Sequence, residues 1–189
     1  MPRSFLDFRI LQQIRHSSLI RLNTGACAFD FRKKYACGHV AIAVMKYIET
    51  NDNSCLGVKY AAKPLSFNSA IEKCKAEILR KDIKTLENSS LAMVQMMLQN
   101  MGSGSYAMVS ANYDSSKPTG KFMGGLVKKF WGHWFNLVVI GGKVFPVDAY
   151  SPETFAEARF RDEYLNQYNN DNVDAILFSV KKRQGMFFV

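Results

Sequence analysis

The chain has 189 residues, 48% of them hydrophobic and 22% charged, with a formal net charge of +9. That balance excludes a disordered chain and suits one domain over residues 1–189 with a sizeable core. No apolar run reaches the roughly 18 residues of a membrane-crossing helix, and Met1 to Arg9 lacks the continuous apolar stretch of a secretory signal.

Residues 5–22 place Phe5, Phe8, Leu11, Ile14 and Leu22 at mostly helical spacing with arginines between them, which predicts an amphipathic helical N-terminal segment. The next helix is predicted from Cys37. The run Val40 to Met45 is apolar throughout, and Asn51-Asp52-Asn53-Ser54 stops it. A helix with no polar face is a buried one. Ser69-Ala70-Ile71-Glu72 reads as a capping box opening a helix to about Leu86. Another helix runs from near Ser90 through Leu98 to a stop at Gly102. Its methionines, Met93, Met96, Met97 and Met101, read as adaptable core.

A strand is expected from Tyr106 to about Ala111, then a loop over residues 112–130, long enough to form a wall or lid of a cleft. Two apolar strands joined by Gly141-Gly142 follow. Ser151-Pro152-Glu153 opens a helix to about Tyr168, and Asp174 to Val180 reads as a final strand. The architecture expected is a single α+β domain: an N-terminal helical part packed on an antiparallel sheet of about four strands.

The glycine pair carries the most chemical information. A two-residue loop fixes Ile140 opposite Lys143, Val139 opposite Val144 and, by continuation, His133 opposite Tyr150. His133 and Asp148 then share a face as diagonal neighbours, roughly 7–8 Å apart at the backbone, a gap that an imidazole and a carboxylate can close. A loop one residue longer would put them on opposite faces. Pro146 has no N–H for the ladder, so its strand must be an edge or bulged, and a bulge would break this register.

A base with its orienter needs a nucleophile. Cys37 starts a buried helix, where unpaired N–H groups and the helix dipole favour a thiolate and supply part of an oxyanion hole. Cys27 is the rival nucleophile. His39, two residues from Cys37, points elsewhere on a helix and is expected to pack or cap. The four cysteines form no CxxC or Cys/His cluster, so no metal site is expected, and a reduced compartment suits them better than a disulfide scaffold. The basic residues are scattered, with short clusters at Arg32-Lys33-Lys34, Lys128-Lys129 and Lys181-Lys182-Arg183. This suits a solvated surface facing an acidic protein or an anionic membrane better than a nucleic-acid groove.

Cys37 leading into a buried helix, then His133 and Asp148 on neighbouring strands, resembles the papain-like cysteine hydrolases. It is most similar to the compact bacterial branch of polymorphic toxins and injected effectors, which holds cysteine proteases and glutamine deamidases. The resemblance spans roughly residues 27–150. It implies a papain-like fold, a Cys37-His133-Asp148 triad, no cofactor, a protein substrate in a target cell and a cognate immunity or inhibitor protein. It also implies delivery by a bacterial secretion system into a host or competitor cytoplasm. One departure stands out: the glutamine that usually precedes the nucleophile is replaced by Asp30-Phe31-Arg32-Lys33-Lys34-Tyr35, which leaves Asn23 as the oxyanion candidate. The expected function is attack on a protein carboxamide through a thioester, glutamine deamidation being favoured over peptide cleavage or transglutamination. The alternative from another class is a non-catalytic basic protein- or nucleic-acid-binding domain with Cys37 in its core.

Overall fold

The computed structural model describes residues 35–57, 59–78, 82–114, 132–148 and 164–179. The expected N-terminal helix, Asn23, Cys27 and most of the 112–130 loop lie outside them. Helix α1 is Cys37–Thr50, and its whole run from Val40 to Met45 is buried. It ends where the sequence predicts: Asn51 takes the left-handed conformation, φ 56°, and donates its N–H to Tyr47 O. A 3-10 turn, Asn53–Leu56, follows, capped by Asp52, whose carboxylate accepts from Ser54 N at 2.9 Å and Ser54 Oγ at 2.8 Å.

Helix α2 is Phe67–Ile78, which corrects both ends of the expected helix. It starts earlier because Ser66 Oγ, rather than Ser69, accepts the first-turn N–H, from Ser69 at 3.3 Å; Glu72 instead pairs with Lys75 at 2.9 Å. It stops short of Leu86 because Ile83–Ser89 is strand β1. Ile83, Leu86 and Ser89 are its half-buried residues, a spacing of three that imitates a helix. The cause is a break in strand register between Leu86 and Ser89, where Asn88 has φ 49°, so the usual alternation is lost.

Helix α3 is Leu91–Met101, with Ser90 Oγ accepting from Met93 N at 3.2 Å and Gly102 at its C-terminus, as expected. Met97 and Met101 pack on the core, but Met93 and Met96 are 43% and 48% exposed, so the methionine cluster is core on one side only. Strand β2 is Tyr106–Tyr113, longer than expected; β3 is Gly132–Ile140 and β4 is Lys143–Val147. The last helical turn described is Tyr164-Leu165, and β5 begins at Tyr168 and runs to Phe178, six residues before the expected start. Asn169, Asn170, Asp171 and Asn172 look like a turn, yet this stretch is held beside β2 across an irregularity between Ala111 and Tyr113.

The five strands form one antiparallel sheet in the order β1-β5-β2-β3-β4, one strand more than expected. Its two faces are covered differently. Trp134 and Val138 of β3, with Tyr106 and Met108 of β2, pack under α1. Phe135, Leu137 and Val139, with Ala107, Val109 and Ala111, pack under α3. The described architecture is thus α+β, a sheet between α1 and α2 on one side and α3 on the other. No helix among the described residues is long and apolar enough to cross a membrane.

Candidate functional site

The hairpin sets the site. Gly141 and Gly142 take φ 56° and 77°, the left-handed pair that a two-residue turn matched to strand twist requires. Pairing then runs without interruption from Ile140 and Lys143 to Asn136 and Val147. Pro146 lies opposite Leu137 on the edge strand, where its missing donor faces away from the sheet, and it introduces no bulge. With the register intact, His133 and Asp148 fall on the same face, and Nε2 of His133 lies 2.8 Å from Asp148 Oδ2. The imidazole is 6% exposed and the carboxylate residue 2%, so this ionisable pair is buried, where a polar group must be partnered.

Two tyrosines extend the pair among the described residues. Tyr164 donates its hydroxyl to the same Asp148 Oδ2 at 2.8 Å, and Tyr168 donates to the Tyr164 hydroxyl at 2.9 Å. The Tyr168 ring lies parallel to the imidazole, 6.1 Å between centroids and 3° between planes, and Phe135 flanks it at 6.5 Å. Neither tyrosine was marked by the sequence reading. The available signal was weak: Tyr164 and Tyr168 are neighbours four residues apart, but only the sheet brings them to Phe135 and His133.

Cys37 is the first residue of α1, behind Ala36, which offers no side-chain cap, so the first-turn N–H groups receive no capping side chain. The thiol is half-buried and packs against the core beneath α1. Next to it, Gly38 lies over β3: a Cβ there would stand 2.9 Å from Leu65 Cβ and 3.2 Å from Trp134 Cδ1. Cys37 therefore lies near the beginning of β3, the end that carries His133, but on the α1 side of the sheet, while His133 faces the α3 side. No hydrogen bond joins Cys37 to His133 among the described residues. The structure joins His133 to Asp148.

The α1 side holds its own buried polar groups. Trp134 Nε1 donates to Leu65 O at 3.0 Å, and Asn136, 1% exposed, donates to Ala41 O at 3.2 Å. A cavity of about 230 Å³ opens between α1, the 3-10 turn and α2, lined by His39, Lys46, Asp52, Lys59 and Glu77 among others. It is remote from the His133 pair in its lining. His39 Nδ1 is buried there without a hydrogen-bond partner, and burial, then Lys73, holds the imidazole below its usual pKa. Burial, then Glu77, pushes the Cys74 thiol up to about 12. No three His, Cys, Asp or Glu side chains among the described residues are grouped to hold a metal. No family model, curated protein or solved structure matches the chain.

Proposed function

We propose that the chain is a papain-like cysteine hydrolase acting on protein carboxamides, with glutamine deamidation as its favoured reaction. The observation that carries the reading is the buried pair of His133 and Asp148, 2.8 Å apart and placed by an unbroken hairpin register. Asp148 holds Nε2, so proton exchange with a nucleophile falls to Nδ1. Cys37 at the start of α1 is the proposed nucleophile, beside first-turn N–H groups that no side chain caps. Sγ would bond to the side-chain carbonyl carbon of glutamine, the carbon–nitrogen bond would break, and ammonia would leave with the proton from His133. Water would then hydrolyse the thioester, restoring the thiol and leaving glutamate.

Cys37 packs on the α1 side and His133 faces the α3 side at one end of β3, so Sγ and Nδ1 would have to meet around that end of the sheet. The second assignment is Cys27, the rival thiol of the sequence, acting with the same His133–Asp148 pair. The test is mass spectrometry of a target-cell protein extract after incubation with the wild type, Cys37→Ala, Cys27→Ala and His133→Ala. Glutamine peptides heavier by about one dalton identify deamidation, and new termini identify proteolysis. Loss of the product in His133→Ala and in only one cysteine variant names the nucleophile. Product formation that survives all three substitutions contradicts the proposal and leaves the binding-domain alternative.

A further inference from the structure

We propose that Tyr164 and Tyr168 are positioning residues that set the basicity of His133 through Asp148, an inference that rests on the reading of His133 as a general base. Asp148 Oδ2 accepts two hydrogen bonds at 2.8 Å, from His133 Nε2 and from the Tyr164 hydroxyl. Tyr164 in turn accepts from Tyr168 at 2.9 Å, which polarises its own O–H and makes it a stronger donor to the carboxylate. A carboxylate oxygen shared with a phenol has less charge to offer an imidazolium. Tyr164 therefore shares the carboxylate oxygen that His133 bonds, limiting how far Asp148 raises the proton affinity of His133. The stacked Tyr168 ring holds the imidazole plane in line with the carboxylate, so one residue both orients the base and feeds the hydrogen-bond chain.

The groups that the described elements bring to this pair fit that role. Beyond Asp148 at the end of β4 and the two tyrosines, β2 places Ala111 opposite His133, and α3 contributes apolar Leu91, Val94 and Leu98 to the same side. The chain leads through two hydroxyls from β5 to the base, and a packing role alone would be served as well by phenylalanine at both positions.

The test is the imidazole titration followed by nuclear magnetic resonance in the full chain, where only three histidines need assignment and His133→Gln identifies the signal. Tyr164→Phe removes the donor to Asp148 and should raise the His133 midpoint by about half to one pH unit. Tyr168→Phe keeps the stacked ring and removes only the second hydroxyl, so it should give a smaller rise of the same sign. Should Tyr164→Phe fail to fold, Tyr168→Phe decides the question alone. A folded variant whose His133 midpoint is unmoved, or moves down, overturns the proposal. Failure of the hydrolase reading would be seen separately, as product formation indifferent to His133→Ala, since the titration needs no turnover.

Discussion

Strand β3 partners its buried polar side chains differently on its two faces. Under α1, Trp134 and Asn136 each donate to backbone carbonyls, Leu65 O and Ala41 O. Those are neutral bonds with fixed roles, and they tie the helix layer to the strands. On the other face, His133, Asp148, Tyr164 and Tyr168 bond to one another, side chain to side chain, around an ionisable pair. A protein that needed only a satisfied core could use the first arrangement throughout. The second is costlier to bury, and such clusters are found more often at functional sites than in plain cores.

That contrast predicts a ranking of substitutions. Asp148→Ala strands a buried imidazole and is expected to cost about 3–5 kcal/mol. It should lower the melting temperature by roughly 10 °C, at about 2–4 °C per kcal/mol for a chain of this size. It should also remove turnover, whereas Asp148→Asn should retain more of both, since an amide can still bond the ring. Calorimetry and product formation on the same samples check this, and an unchanged rate in folded Asp148→Ala would reduce Asp148 to packing.

On the other face, Gly38→Ala brings a Cβ to 2.9 Å from Leu65 and should cost about 1–3 kcal/mol by overpacking. Asn136→Leu should cost about 1–2 kcal/mol for its lost bonds. Neither should move the His133 titration. A shift in either variant would mean that the two faces are coupled through β3.

Smaller still are two effects of local electrostatics. Cys74, buried and with its thiol pushed up to about 12, should be the slowest of Cys37, Cys55 and Cys74 to react with iodoacetamide. His39 is held below its ordinary pKa of 6.5 in the fold, so the unfolded chain binds the proton more readily. Stability should therefore fall as pH drops below about 6.5, and His39→Gln should flatten that part of the curve slightly. Thermal melts between about pH 5 and 8 test the sign.

The parts of this comparison differ in how legible they were in the sequence. The hairpin could be read because Gly141-Gly142 leaves one sensible turn and a period of two then fixes every pair down to Asn136 and Val147. Strand β1 could not, because its irregular register spaces Ile83, Leu86 and Ser89 as a helix would. The start of β5 was hidden by Asn and Asp residues that are poor strand formers until β2 lies beside them. The side of the sheet on which α1 would lie was equally hidden. The apolar run Val40 to Met45 marks α1 as a buried helix without saying which face of the sheet it takes, so its start at Cys37 was legible and its side relative to His133 was not. The tyrosine chain depends on contacts among three segments and leaves no local pattern.

The central claim is that His133 with Asp148 acts on a cysteine thiol, and the most direct test is the rate of iodoacetamide labelling near pH 6, mapped to each cysteine by mass spectrometry. With Cys37 as the nucleophile, the wild type should label it faster than Cys27, Cys55 or Cys74, and His133→Ala should slow that labelling by about tenfold or more. Preferential, His133-dependent labelling of Cys27 would transfer the role of nucleophile to that residue. Labelling of every cysteine at rates indifferent to His133 would contradict the account and make the His133–Asp148 pair a buried structural contact.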